Sequence, residues 1–245
     1  MTFWDHLDAL RTTLLRMLVV AAGGVVVAFL CKEPLFRLLL APSHNDFCTY
    51  RWIGVDPFEL ALINTQLTEQ FMIHLRVSLA IGLLIVAPAL LYLLYRFIAP
   101  ALYANEKRIG VRILLSAYLM FFVGLAANYL LFFPLTLRFL ATYSVSPEVT
   151  ALLTINSYVD TLLLMSLLFG LLFEMPPLAW LLSSAGMLRA EWMSRYRRQA
   201  IVLILILCAF ITPTTDALTL LIVALPVWIL YELSILLVRL TTSRP

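Results

Sequence analysis

The chain is 245 residues long, 63% hydrophobic and 13% charged, with a formal net charge of +3 and a mean hydropathy of +0.98. Soluble domains run nearer half apolar and a quarter charged, so a sizeable soluble domain is excluded and a polytopic membrane protein is required. The small net charge gives no footing for nucleic acid, and Cys31, Cys48 and Cys208 lack the spacing of a metal site such as CxxC.

The N-terminus does not read as a cleavable signal. Asp5 and Asp8 stand where a signal peptide carries only positive charge, and no small-x-small cleavage site follows the first apolar run. That run, Thr13–Cys31, is the first of six expected transmembrane helices. A polar connection, Lys32–Gln66, follows, with an amphipathic piece at Glu33–Leu40 and a turn at Ser43–Asp46. The second span is Thr68–Tyr95, kinked at Pro88. A basic loop, Arg96–Arg108, leads to the third, Ile109–Phe133, which is expected to end at Pro134. A second long connection covers Leu135–Val159, and the fourth span is Asp160–Ala185. A basic loop, Met187–Gln199, precedes the fifth span, Ala200–Ile211, and the turn Thr212–Asp216 leads to the sixth, Ala217–Val238. Both outer connections hold enough apolar residues to pack as a cap. Cys31 and Cys48 fall on that outer side, either as a bridge or as small apolar residues. Residues 1–245 read as a single integral membrane domain without internal repeats.

Twelve lysines and arginines fall on one side of this arrangement: Arg11, Arg16, Arg96, Lys107, Arg108, Arg112, Arg189, Arg195, Arg197, Arg198, Arg239 and Arg244. Lys32, Arg37, Arg51 and Arg138 fall on the other, which places both termini in the cytoplasm. Arg76, the one cation left to neither side, lies within a span, close enough to its outer end to reach the interface. The twelve residues of the fifth span reach about 18 Å, against a hydrocarbon core of about 30 Å. The fifth and sixth spans are therefore expected to be short and to thin the bilayer locally.

Glu174 interrupts the apolar run TLLLMSLLFGLLFEMPPLAWLLSS. An ionised carboxylate at mid-depth costs a few kcal/mol on the more lenient scales, so it should face protein or water. Pro176 and Pro177 follow at once, so the helix should bend where the acid sits. The plainer role for Glu174 is a hydrogen bond to backbone freed by the prolines, but a serine or asparagine would serve for that.

There is no nucleotide loop, metal cluster or catalytic triad to read, and His6, His44 and His74 are widely separated, so neither an enzyme nor a bound cofactor is expected. At the inner face, FIAPALYANEKR places Glu106 in the loop after the second span, and HLDALR places Asp8 beside Arg11 before the first. Acidic positions on a basic face can accept guanidinium groups through paired hydrogen bonds. Alternatively Glu106 pairs with Lys107 or Arg108 in a first helical turn, where its charge suits the dipole.

The segments HLDALR, LTEQF, FIAPALYANEKR, NYLLFFPL, FGLLFEMPPL and ITPTTDALT occur in this order along nearly the whole chain. Together they resemble TatC, the six-span core receptor of the twin-arginine protein translocase. The resemblance implies an all-α bundle of cupped shape in the cytoplasmic (inner) membrane. It implies binding of twin-arginine signal peptides at the cytoplasmic face. It implies self-association and assembly with the single-span partners TatA and TatB for export of folded proteins by the proton-motive force. The family's loop glutamate falls on Glu106, with Phe97, Pro100 and Tyr103 shaping the site. Its intramembrane acid falls on Glu174, and the acid of its last turn on Asp216.

Two departures stand out. The family's N-terminal motif carries a glutamate where this chain has Ala9, with Asp8 one position earlier, about 100° around a helix. Many relatives carry a glutamine shortly after the turn aspartate, where this chain has Thr219 and Leu220. Thr212, Thr214, Thr215 and Thr219 would then supply hydroxyls to a partner helix. The competing reading is a proton-coupled small-solute transporter using Glu174, although such folds often show paired repeats with broken helices.

Overall fold

The computed structural model describes residues 3–44, 46–54, 62–98, 104–142, 153–184, 186–211 and 217–242; within these, residues 3–6, 53, 98, 104–110, 112–113, 210–211, 218–219 and 241–242 are described by backbone alone. The protein is all-α. In chain order its helices are α1 (Phe3–Leu30), α2 (Lys32–Leu40), a 3₁₀ turn (Ala41–Ser43), α3 (Cys48–Ile53), α4 (Glu69–Ile98), α5 (Ala104–Ala127), a π-helical turn (Asn128–Phe132), α6 (Phe133–Thr142), α7 (Ile155–Phe173), α8 (Met175–Ser184), α9 (Ala190–Arg195), α10 (Arg197–Ile211) and α11 (Ala217–Thr242). Two-residue strands lie at Leu62–Ile63 and Leu153–Thr154.

Five helical runs among the described residues are long and apolar enough to cross a bilayer: Leu7–Leu30, Glu69–Phe97, Leu114–Thr142, Ile155–Ser184 and Leu220–Leu240. The fifth span of the sequence reading is α10, whose 15 residues reach about 22 Å, so it is short as expected. The sixth is not. The 26 residues of α11 reach about 39 Å, because the helix runs on through Arg239 and accommodates Pro226 within it. The third span also exceeds its expected end, for Pro134 lies inside α6 and does not terminate it. The expected loop Met187–Gln199 contains α9 and the first turn of α10. Cys31, Cys48 and Cys208 are free thiols, so the possible bridge is not formed.

The chain divides into two compact units. The first holds residues 1–41, 64–114 and 154–159, built on α1 packed along α4. A Cβ added to Gly82 would lie 2.6 Å from the Val25 Cα and 2.9 Å from the Gly24 carbonyl, so here backbone meets backbone. Such close approach is how helices gain dispersion energy in lipid, where apolar burial alone drives nothing. At the outer end, His74 lies 3.1 Å through Nε2 from the carbonyl oxygen of Phe29, in the last turn of α1 where carbonyls lack helical partners. The His74 ring stacks on Phe29 with centroids 4.2 Å apart and meets Phe36 of α2 edge-on at 5.7 Å. Glu69 is buried and caps α4, accepting from the backbone N–H of Thr65 at 2.8 Å and of Gln66 at 3.1 Å. Arg76 donates to Asn156 at 3.4 Å, and the buried Tyr158 hydroxyl donates to the carbonyl of Leu39 at 2.9 Å.

The second unit holds residues 42–63, 115–153 and 160–245. Asn128 donates through Nδ2 to the Ser166 hydroxyl at 2.9 Å, and Phe132 stacks on Phe169 with centroids 4.6 Å apart. Gly124 sits under the Phe169 carbonyl and Gly170 under the Phe121 ring, so the third and fourth spans touch at small residues. On the outer side, Thr49 of α3 donates to the carbonyl of Leu130. The buried Tyr50 hydroxyl lies 2.9 Å from the carbonyl of Pro42 and 3.2 Å from that of Pro134, and burial raises its pKa above the ordinary phenol value. The expected apolar cap is thus packed at α3. On the inner side, α11 packs against α8 and α9 through a knot of Ala179, Ala190 and Val238, and also against α10.

Candidate functional site

Glu174 is the single residue between α7 and α8. The break follows from the two prolines. Pro176 and Pro177 have no N–H to give to the carbonyls of Leu172 and Phe173, so α7 cannot continue through them. They fit instead in the first turn of α8, where N–H groups lack acceptors in any case. The helix restarts as Leu178 N–H donates to the Glu174 carbonyl at 3.0 Å, while Glu174 N–H reaches back to Leu171 at 3.1 Å. The bend expected from the sequence is therefore present at the acid.

The Glu174 side chain is half-buried and makes no hydrogen bond or ion pair among the described residues. The expected alternative, a carboxylate spent on backbone freed by the prolines, is absent among them. Ten residues separate Glu174 from the inner end of α8 at Ser184, about 15 Å of helix, which is mid-depth in a core of about 30 Å. Between that depth and the inner end lies a pocket of about 450 Å³ within the second unit, lined by Ser116, Met120, Pro176, Pro177, Trp180, Leu237 and Leu240. Its walls are mostly apolar, with the Ser116 hydroxyl and the Trp180 indole as polar groups.

The inner-face residues belong to the first unit. Asp8 and Arg11, on the first turns of α1, are both exposed and do not pair with each other among the described residues. The Asp8 carbonyl accepts from the Thr12 hydroxyl at 2.9 Å, and that of Ala9 accepts from Thr13 at 2.8 Å. Phe97 is half-buried in the last turn of α4. The antiparallel pairs Phe29 with His74 and Gly24 with Gly82 set the register of α1 on α4. Continued to the inner end, that register puts Asp8 level with Phe97. Glu106 lies in the first turn of α5 and not in the loop that the sequence predicts; an acid is favoured at a helix start. Pro100, Tyr103, Thr212, Thr214, Thr215 and Asp216 lie outside the described residues, and Thr219 lies in the first turn of α11.

Sequence reasoning missed several polar contacts that hold these elements. Among them are Asn128 with Ser166, and Arg197 with Glu232 at 2.8 Å. Tyr231 donates to the Met193 carbonyl at 2.8 Å, and Arg239 to Ser194 at 3.1 Å. An asparagine within an apolar span was the one local signal, since such a group needs a partner in hydrocarbon.

A helical, multi-pass protein of the cytoplasmic membrane, with one broken span carrying an acid unpaired among the described residues, is the class that this fold and site define. The sequence pattern of the family described as Sec-independent protein translocase protein (TatC) matches residues 5–226. The TatC of Aquifex aeolicus is 32% identical over all of this chain and 97% of its own length. That of Listeria innocua is 32% identical over 100% of the chain and 94% of its own. The crystal structure of a twin arginine translocase receptor, TatC, superposes with a TM-score of 0.75 at 33% identity, covering 97% of this chain and 99% of that one. The chain belongs to the TatC family of Sec-independent protein translocase components.

Proposed function

We propose that this protein receives twin-arginine signal peptides at its cytoplasmic face and nucleates a translocase with TatA-type and TatB-type single-span partners. Folded cargo then crosses at the expense of the proton-motive force. The observation that supports this reading is the α1–α4 register, which extrapolates to Asp8 level with Phe97 near the end of α4, with Glu106 in the first turn of α5. Both acidic positions belong to one unit. Glu106 is the principal partner of the arginine pair through two-point guanidinium–carboxylate bonding. Asp8 supports it from where relatives carry a glutamate one position later, with Arg11, Phe97, Pro100 and Tyr103 bounding the site. Glu174 acts after docking. The segment holding Thr212, Thr215, Asp216 and Thr219 meets a partner helix. The chain works as one integral membrane domain and in more than one copy.

The test is photo-cross-linking and equilibrium binding of a twin-arginine peptide to the purified protein. Glu106→Gln is expected to weaken binding at least tenfold, the loss of one charge-assisted contact, and Glu106→Asp to weaken it less. Equal binding of arginine-pair and lysine-pair peptides by both the parent and Glu106→Gln would overturn the assignment.

A further inference from the structure

The segment between α8 and α10 carries a group of cations that the functional reading leaves unused. Arg197 is paired with Glu232, and Arg239 donates to Ser194. Arg189, Arg195 and Arg198 are exposed and have no hydrogen-bond or ion-pair partner among the described residues. Between them stand Trp192 and Tyr196, each 55% exposed. This surface is held firmly, because α9 is bound to α11 by the Tyr231 and Arg239 hydrogen bonds and by Ala190 against Val238.

Its depth follows from helix length. The 15 residues of α10 reach about 22 Å, some 8 Å short of a hydrocarbon core of about 30 Å. Arg197 and Arg198 open that helix and cannot enter acyl chains, so the headgroup layer must be drawn in to meet them. Trp192 and Tyr196 then lie where aromatic rings with a polar edge are favoured. Three guanidiniums at phosphate level, unpaired among the described residues, complement a negative headgroup.

We propose that α9 and the start of α10 form a binding surface for anionic phospholipid of the inner leaflet. Arg189, Arg195 and Arg198 grip the phosphodiester, and Trp192 and Tyr196 are seated beside it. Bound lipid would anchor the thinned membrane around α10. The surface belongs to the second unit, whereas Asp8 and Glu106 belong to the first, and it has the opposite charge preference.

The experiment is native mass spectrometry of the full-length, delipidated protein titrated with phosphatidylglycerol or phosphatidylcholine. Phosphatidylglycerol is expected to bind about tenfold more tightly. Arg189→Gln, Arg195→Gln and Arg198→Gln together should abolish that preference. The corresponding triple lysine variant should keep most of it. Lys32→Gln, an exposed cation on the outer side, should leave it unchanged. Because the three arginines bond to nothing described, the glutamine variant should keep its circular dichroism and melting. Equal binding of both lipids by the parent, or an unchanged preference in a folded triple glutamine variant, would overturn the proposal. So would complete displacement of lipid by millimolar inorganic phosphate, which would make the surface a free-anion site.

Discussion

Thr49 gives the carbonyl of Leu130 the hydrogen bond that Pro134 cannot. Proline four residues on has no N–H, and the helix widens into a π-turn over Asn128–Phe132 just before it. With a hydroxyl from α3 supplied to the orphaned acceptor, the third span continues through the proline for another two turns, to Thr142. One side chain in the outer cap thus compensates a break written into a transmembrane helix.

Removing that donor tests the relationship. Thr49→Val keeps the shape of the side chain and takes the hydroxyl away from the part-buried Leu130 carbonyl, at a cost of about 0.5–1.5 kcal/mol. Thr49→Ser should cost less than half as much. Thermal unfolding of both variants in the same detergent decides it; equal stability of the valine and serine forms would mean that Thr49 does not compensate Pro134.

Gly82 carries a sharper steric prediction. A methyl group there would meet the Val25 Cα at 2.6 Å and Val25 N at 2.8 Å, both backbone atoms that no rotamer change can move. Gly82→Ala should force α1 away from α4 and destabilise by about 1–3 kcal/mol. Gly23→Ala is the control, since a Cβ at Gly23 has nothing within 4 Å. A Gly82→Ala protein as stable as the Gly23→Ala protein would contradict the close crossing.

Asn128 and Ser166 should show positive coupling. A double-mutant cycle with Asn128→Leu and Ser166→Ala is expected to give about 0.5–1.5 kcal/mol, the usual range for hydrogen bonds between helices in a membrane. The Oδ1 of Asn128 is buried without a partner among the described residues, so part of the leucine effect should be favourable. A coupling energy indistinguishable from zero would reduce the contact to coincidence.

Glu174 should be separable from peptide docking. Glu174→Leu removes the acid and keeps the proline-driven break, so the helix pair α7–α8 should remain folded. Signal-peptide affinity should stay within about twofold, while export of a folded reporter falls by about tenfold or more if the charge acts at mid-depth. Glu174→Gln tests whether a neutral polar group suffices. Normal export by the leucine variant would remove Glu174 from the mechanism.

What the sequence determined by itself was the membrane, the helical class, the order of the spans, the bend at Glu174 and the shortness of α10. Each follows from composition or from proline and charge acting on their own segment, because bilayer thickness and backbone hydrogen bonding are conditions imposed locally. Tertiary structure decided where the third span ends, how α9 is fastened to α11, and which acids have partners. Pro134 reads as a stop in any local analysis, and only a hydroxyl brought by α3 changes that outcome. Glu174 and Glu69 are the same residue type in two apolar spans, yet Glu69 is buried and caps its helix while Glu174 is left without a partner among the described residues. That difference depends on which donors the packing delivers to each carboxylate, and donors distant in the chain leave no mark on the residues around the acceptor.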